Sequence, residues 1–267
     1  MRLPARCAPR AHRLSDAVSD TDHLDGLDFA AFRRLAVDPT LSRHEKVGFP
    51  DDYREGREAA IFADMRAKLA SLARPACRVL EIGPGCSALP AMLADLCAAQ
   101  AGSLTLVDSA EMLALLPDAA HVRKMSGAFP EALAGCFEPW RASFDTIVAY
   151  SVVQYVFAEG GLTRFVDRCL ALLADGGEIL LGDLPNTTMR KRFFASEAGI
   201  ACHRAYTGRD EAPVVRFNVP EADQIDDSVV LGVLMRARAQ GFHAWVLPQG
   251  AALPMANRRE DILIRKP

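Results

Sequence analysis

The sequence predicts an α/β fold with a doubly wound, mostly parallel sheet of seven strands and a helical N-terminal cap. Apolar strand-like runs alternate with helix-like segments between residues 77 and 183, a pattern typical of parallel sheets covered by helices on both faces. A loop with Gly83 and Gly85 follows the first strand. After a last helix, two strand-like runs at residues 243–247 and 261–265 predict a C-terminal antiparallel pair.

The N-terminal part is predicted in two pieces. Residues 1–26 lack hydrophobic periodicity and are expected to form a flexible tail. Residues 27–75 are expected to form the cap, with helices at about 28–35 and 54–72. Apolar residues of the second helix recur at helical spacing and are expected to pack on the sheet; they are Ile61, Phe62, Met65, Leu69 and Leu72.

Residues 76–267 are expected to form the ligand-binding domain. Its first five strands are predicted near residues 78–82, 103–107, 121–124, 145–150 and 178–182. Helices are predicted near residues 88–100, 110–116, 129–134, 161–174 and 227–240. The alternation is interrupted at 184–226, where the aromatic residues argue for an ordered insertion.

Composition narrows the function classes. The 267 residues, 50% of them hydrophobic, suffice for one large core with a cap. A formal charge of −3 gives no general attraction to nucleic acid, and no apolar run approaches the ~20 residues that span a membrane. The seven cysteines lack paired or zinc-ligand spacing, which predicts free thiols, no metal site and a cytoplasmic location.

The glycine loop supports two interpretations. Gly83, Gly85 and Ala88, with Asp108 further on, satisfy a loose dinucleotide fingerprint. However, Pro84 removes a backbone N–H that would hold a pyrophosphate, and Glu81 is better placed for a cationic ligand. These two residues favour a phosphate-free, positively charged nucleoside.

Five segments in order carry a resemblance to a known family. They are residues 79–87, 104–109, 124–128, 144–151 and 173–183. Over about residues 55–267 the chain resembles the class I S-adenosylmethionine-dependent methyltransferases. The usual acid near the adenine is replaced by Ser126 or Gly127, and the Asn/Asp-Pro-Pro-aromatic signature of amino-group methylation is absent after Tyr150.

The resemblance implies S-adenosylmethionine as cofactor and assigns site residues. The implied cofactor-binding residues are Glu81, Gly83, Pro84, Gly85, Ser87, Asp108, Ser109, Met112, Ser126, Gly127, Ala128, Tyr150 and Ser151. The implied acceptor-binding residues are Tyr53, Gln154, Tyr155, Asn186 and Arg190, and the catalytic candidates are Asp183, Tyr150 and His203. Asp183 is the favoured general base, with helix capping as its alternative role. His203 and His44 are further candidates for a base, but for each of them a surface position is the favoured interpretation. By analogy with the family, residues 43–46 and 51–54 are expected to form a lid over the cofactor.

The predicted function is S-adenosylmethionine-dependent methylation of a small polar acceptor at oxygen, such as a sugar or biosynthetic intermediate. The alternatives are an NAD-linked oxidoreductase and a non-catalytic S-adenosylmethionine-binding module. Neither nucleic acid nor membrane is an expected partner, and the sequence does not predict an oligomeric state.

Overall fold

The computed structural model describes residues 26–267, apart from the side chain of Asp52. A seven-stranded sheet lies at its centre, with strand order β3-β2-β1-β4-β5-β7-β6. The strands are β1 Arg78–Ile82, β2 Ser103–Asp108, β3 Val122–Ser126, β4 Phe144–Tyr150, β5 Leu173–Pro185, β6 His243–Pro248 and β7 Arg259–Arg265. The first five strands pair in parallel, and β7 is antiparallel to both β5 and β6. The predicted fold class is confirmed.

Helices cover both faces of the sheet. They are α1 Phe29–Val37, α2 Asp51–Arg54, α3 Glu58–Lys68, α4 Leu89–Ala99, α5 Ala110–Leu113, α6 Val153–Ala158, α7 Leu162–Leu172, α8 Thr187–Phe194, α9 Glu197–Thr207 and α10 Asp227–Ala239. Successive residues of β1 enter different cores, because side chains alternate across a strand. Val79 packs with α3 and α4, while Leu80 packs with α7 and α10.

The cap differs from its prediction. Instead of one helix over residues 54–72, the chain forms α2, α3 and a 3₁₀ helix at Ala70–Ala73. The predicted helix is interrupted at Gly56, whose φ of +69° lies in the left-handed region. The apolar stripe from Ile61 to Leu72 nevertheless packs against the sheet as predicted. The predicted tail lies outside the described residues except for Gly26.

The segment at 184–226 contains two helices that the sequence did not resolve, α8 and α9. Each begins at a side-chain cap: Asn186 accepts from the Met189 N–H, and Ser196 accepts from the Gly199 N–H. Residues 208–226 form neither helix nor strand. The segment returns to the sheet through α10, which packs on β6 and α7.

Candidate functional site

A cleft lies at the carboxyl ends of β1, β2 and β4, under the cap. It encloses about 1200 Å³, part of it open to solvent. Parallel α/β sheets bind ligands at this edge, beside the point where strand order reverses. Because β1 lies between β2 and β4, the glycine loop that follows β1 occupies that point.

The glycine loop is tightly packed on both sides. Gly83 and Gly85 have φ values of +65° and +64°, which side chains with a β-carbon rarely adopt. A β-carbon at Gly83 would lie 2.6 Å from Val152 Cγ2, and one at Gly85 would lie 2.5 Å from Val47 Cγ1. Val47 belongs to the cap, so the cap packs directly on the glycine loop.

Asp108 ends β2 and faces the loop. Its Oδ2 accepts a hydrogen bond from the Gly85 N–H at 3.2 Å, and its Oδ1 accepts one from the Ser109 N–H at 2.7 Å. The Ser109 hydroxyl caps α5 by accepting from the Met112 N–H. Helix capping therefore falls on Ser109, which leaves the Asp108 carboxylate at the cleft wall.

Glu81 is a buried carboxylate at the floor of the cleft. Glu81 is only 4% exposed, and its Oε2 has no hydrogen-bond partner within the described part of the chain. Burial, with a further contribution from the negative charge of Asp108, raises the pKa of Glu81 to about 8. Burial also raises the pKa of Asp108 to about 6, against the opposing effect of its two backbone hydrogen bonds. Neither acid is paired with a positively charged side chain of the described residues.

The cap supplies the opposite wall. Phe29, Phe32, Val47 and Phe49 line the cleft. The Phe32 and Tyr155 rings meet edge to face with centroids 4.8 Å apart. This apolar wall limits water in the space in front of the glycine loop.

His44, which lies in the cleft wall, links two other parts of the cap through hydrogen bonds. Its Nδ1 lies 2.8 Å from Asp51 Oδ1, and its Nε2 lies 2.9 Å from Glu58 Oε1. Hydrogen bonds from Ser42 and His44 lower the pKa of Asp51. Burial is the largest single influence on Glu58 and opposes its ionisation, but the hydrogen bond from His44, a backbone hydrogen bond and the nearby positive charges together lower the pKa of Glu58. His44 therefore links Asp51 and Glu58 across the cap through its two ring nitrogens.

Arg54 connects the cap to the end of β5. Its Nη2 donates to Asp183 Oδ2 at 2.7 Å and to Ser151 Oγ at 2.5 Å, and its guanidinium lies 4.0 Å from the Phe49 ring centroid. Ser151 and Asp183 have φ values of +61° and +59°, a conformation that costs energy in residues other than glycine. Such strain persists where surrounding contacts hold it, often at functional sites.

The Arg54 side chain is only partly satisfied. Its Nε is buried without a partner, and Nη1 makes none of the hydrogen bonds found among the described residues. Arg54 is the one Arg or Lys in the described lining of the cleft. A negatively charged ligand group in the cleft would complete its hydrogen bonding.

Most of the predicted cofactor residues meet in this cleft. Those that line it are Glu81, Gly83, Pro84, Gly85, Ser87, Asp108, Met112, Gly127, Ala128, Tyr150 and Ser151. Ser109 and Ser126 lie outside the lining. Burial raises the pKa of Tyr150 well above its ordinary value of 10, so its phenol stays protonated and can donate a hydrogen bond.

The predicted acceptor and catalytic residues are more scattered. Tyr155 lines the cleft, but Tyr53, Gln154, Asn186 and Arg190 do not. Gln154 Nε2 donates to the Ser151 carbonyl. Asn186 caps α8 and donates from Nδ2 to Asp227 and Glu260. Arg190 pairs with Glu221 at 2.5 Å.

The structure also revises two catalytic candidates. Asp183 receives Arg54 at 2.7 Å and Arg259 at 2.8 Å on the same Oδ2. These two ion pairs engage the Asp183 carboxylate in holding the cap and the start of β7 to the end of β5. His203 lies on α9, edge to face with Phe194 and outside the described cleft lining.

Sequence reasoning did not single out Arg54, Glu58 and Glu159, which line the cleft, and it considered His44 only as a possible base and as part of a lid. Residues 43–46 and 51–54 had the position of a lid, but nothing in their spacing indicated which side chains turn inward. In the described range, no helix is long and apolar enough to cross a bilayer. Within residues 26–267, no three His, Cys, Asp or Glu side chains are grouped to hold a metal ion.

Comparison with solved structures finds the same fold in several methyltransferases. The plantazolicin methyltransferase BpumL, in a complex with a monoazolic desmethylPZN analog and SAH, superposes with a TM-score of 0.55 and 12% identity over 89% of this chain and 96% of that one. The N-methyltransferase NodS from Bradyrhizobium japonicum WM9, in complex with S-adenosyl-L-homocysteine, has a TM-score of 0.50 and 17% identity over 90% and 98% of the two chains. The CurJ carbon methyltransferase has a TM-score of 0.51 and 17% identity over 91% and 65%.

Similarity in sequence covers a smaller part of the chain than similarity in structure. No family model matches the chain. A probable non-canonical nonribosomal peptide synthetase, CymA of Salinispora arenicola (strain CNS-205), is 35% identical over 122 residues, which are 45% of this chain and 2% of that protein. The strand order and the structural neighbours agree with the resemblance in the sequence motifs. The chain has the fold of the class I S-adenosylmethionine-dependent methyltransferases.

Proposed function

We propose that this protein is an S-adenosylmethionine-dependent methyltransferase acting on a small polar acceptor. The observation that carries the proposal is the charge pattern of the cleft. Glu81 offers an unpartnered buried carboxylate, Asp108 a second carboxylate, and Arg54 an incompletely bonded guanidinium. A zwitterionic nucleoside carrying an additional positive charge satisfies all three groups.

The residues fit such a donor along the length of the cleft. The ammonium group is assigned to Glu81 and the ribose hydroxyls to Asp108. Gly127 and Ala128 flank the adenine with Met112, and Arg54 receives the carboxylate of the methionine end. Ser151 supports the assignment of Arg54, since its hydroxyl accepts from the same guanidinium and Val152 after it contacts Gly83.

The same charges argue against an NAD-linked oxidoreductase. A diphosphate beside Glu81 and Asp108 would bring negative charge to two acids that have no positive partner among the described residues, which is unfavourable in a poorly solvated space. Pro84 also offers no backbone N–H to that loop. A phosphate-free donor avoids both costs.

When bound, the cofactor supplies a methyl group on a sulfonium. The chain's own contribution is positioning: the cap and Tyr155 hold the acceptor in front of the donor and keep water away. Tyr150 can orient an acceptor as a hydrogen-bond donor, because its phenol remains neutral.

We further propose an oxygen atom of a sugar or biosynthetic intermediate as the methylated position. Its support is the Tyr150-Ser151-Val152-Val153 segment after β4, which differs from the Asn/Asp-Pro-Pro-aromatic pattern of amino-group methylation. The structural neighbours include a carbon, an oxygen and a nitrogen methyltransferase, so the fold is compatible with each. Amino-acid and peptide derivatives belong in the acceptor panel because of the CymA similarity.

The deciding experiment is calorimetric titration with S-adenosylmethionine, S-adenosylhomocysteine and NAD. We expect saturable binding of the first two and none of NAD; binding of NAD alone would overturn the proposal. Incubation with labelled S-adenosylmethionine and a panel of alcohols, phenols, amines and peptides, read by mass spectrometry, then identifies the acceptor class. Binding without transfer to any compound would instead support a non-catalytic module.

A further inference from the structure

A second charged feature lies between the cap, the 184–226 segment and the start of β7. Its centre is Arg258, which comes directly before β7. The backbone there is fixed at both ends: the Arg258 N–H donates to the Met255 carbonyl at 2.9 Å, and the Arg258 carbonyl accepts from the Asn186 N–H at 3.1 Å. The side chain therefore extends from a rigid base.

The Arg258 guanidinium is partly buried without a carboxylate. It lies 5.7 Å from the Phe194 ring centroid, and no ion pair joins it to any side chain that the structure describes. Burial lowers the pKa of Arg258, as do the positive charges of Arg259 and Arg190, while Tyr53 and Cys202 act in the opposite direction. Partly buried arginines are usually paired, because an uncompensated charge away from water is costly.

The neighbouring carboxylates are already in use. Glu221 receives both Arg190 and Lys191, and Asp183 receives both Arg54 and Arg259. Glu260, the residue after Arg259, accepts from Asn186 Nδ2 at 2.6 Å. Each of the two shared carboxylates faces two cations, which leaves positive charge in excess around Arg258.

We propose that Arg258, Arg190 and Tyr53 form a binding site for an oxyanion, a phosphate or carboxylate group carried by the methyl acceptor. Arg258 and Arg190 supply charged donors, which suit oxyanions in bidentate geometry, and Tyr53 supplies a hydroxyl. The identity of the ligand as the acceptor rests on the proposed function; the anion site itself does not.

The position of this site relative to the cleft explains the role of the inserted segment. Tyr53 precedes Arg54, a cleft residue, and Arg258 precedes Arg259, whose guanidinium lies 5.5 Å from the ring of Phe49 in the cleft wall. None of Tyr53, Arg190 and Arg258 belongs to the described lining of the cleft, so the proposed oxyanion site lies outside the donor's part of it. The 184–226 segment lines none of the cleft, but it supplies Arg190 and Phe194 to this second site.

The test is calorimetric titration of the full chain with inorganic phosphate and, separately, malonate, at constant ionic strength and with S-adenosylhomocysteine saturating the cleft. We expect saturable binding of at least one anion. Arg258→Gln should weaken it by about tenfold or more, as loss of a charge-assisted contact implies, and Tyr53→Phe by a smaller factor. Arg236→Gln, which removes an exposed arginine paired with Asp167 on α10 and α7, should leave it unchanged.

The outcomes separate the two proposals. If S-adenosylhomocysteine does not bind, the proposed function fails, and the anion titration is run without it. If S-adenosylhomocysteine binds but neither anion does, or if Arg258→Gln binds anions like the wild type, the oxyanion site is refuted. Should Arg258→Gln fold poorly, judged by lost S-adenosylhomocysteine binding, Arg190→Gln and Tyr53→Phe decide in its place.

Discussion

The ion pair between Arg54 and Asp183 joins two parts of the chain 129 residues apart, with Nη2 and Oδ2 separated by 2.7 Å. Both side chains are less than a tenth exposed. Arg259 binds the same oxygen at 2.8 Å, so one carboxylate holds the cap, the end of β5 and the start of β7 together. The arrangement links the cleft wall to the middle of the sheet.

Replacing Asp183 should therefore affect stability first. We expect Asp183→Asn to lower the free energy of unfolding by roughly 3–5 kcal/mol, because two buried guanidinium groups lose their shared counter-charge. Urea denaturation measures this directly. Asp167→Asn, which breaks an exposed pair with Arg236, should cost less than about 1 kcal/mol. An Asp183→Asn protein with normal stability and lost turnover would restore the general-base role.

Arg54 should strengthen the binding only of nucleosides that carry the amino-acid group of methionine or homocysteine. We expect Arg54→Met to weaken S-adenosylhomocysteine by about tenfold, the loss of a charge-assisted hydrogen bond, and to leave 5′-methylthioadenosine unchanged, because this nucleoside lacks the amino-acid group. Titration of both ligands against both proteins gives the comparison. Equal losses for the two nucleosides would point to a disordered cap and away from carboxylate binding.

Asp108 should contribute through the ribose. Asp108→Ala is expected to weaken S-adenosylhomocysteine by more than about 1 kcal/mol, roughly fivefold in Kd. Ser109→Ala serves as the matched control: it removes the cap of α5 and should lower stability by about 1 kcal/mol with little effect on Kd. Unchanged affinity in Asp108→Ala would refute the ribose assignment.

Glu81 gives a prediction about pH. Its pKa in the folded protein, about 8, lies above its ordinary value of 4.5, so the folded protein holds an extra proton between these values. Stability from this group is therefore present below pH 4.5 and is lost as pH rises through 8. Glu81→Gln should raise the free energy of unfolding at pH 9 by roughly 1–3 kcal/mol and leave it unchanged near pH 4.

The same substitution should impair donor binding. The ammonium and sulfonium groups favour ionised Glu81, so wild-type affinity for S-adenosylmethionine should rise from pH 6 to 8.5. In Glu81→Gln the affinity should be lower and this rise reduced. Thermal unfolding and calorimetry across the pH range test the two halves separately. A variant that is destabilised at pH 9 would show that Glu81 has a structural partner.

A substitution at Gly85 tests the contact between the glycine loop and the cap. Gly85→Ala combines an unfavourable φ with a β-carbon 2.5 Å from Val47 Cγ1. We expect it to destabilise the protein by about 1–3 kcal/mol, with part of the loss recovered in the double variant with Val47→Ala. Differential scanning calorimetry of the three proteins suffices. Full recovery would assign the whole effect to the collision, and no recovery would assign it to the backbone.

Elements with strong local signals were predictable from sequence. The strands around the glycine loop contain long apolar runs, and Ser109 follows Asp108 in the position of a helix cap, so the donor side of the cleft could be assigned. Short helices are harder to predict. The α8 helix has no exclusively apolar face, and α2 spans four residues, so neither gives a clear period.

The polar wall of the cleft depends on contacts distant in sequence. His44 meets Asp51 and Glu58 within the cap, and Arg54 meets Asp183 across the molecule. No spacing rule predicts such pairs. Asp183 looked like a free acid at a strand end, because the two arginines that occupy it come from positions far before and far after it.

The placement of β7 also bears on synthesis at the ribosome. In the finished sheet β6 pairs with β7 alone, and β7 separates it from β5. Until residues 259–265 emerge, β6 has no strand to pair with. Lys68 and the Asp183 amide also lack their hydrogen-bond acceptor until then, because both donate to Asp261. The nascent chain can form the parallel strands β1 to β5 early. The β5-β7-β6 part of the sheet is complete only when β7, the last strand in sequence, pairs between the other two.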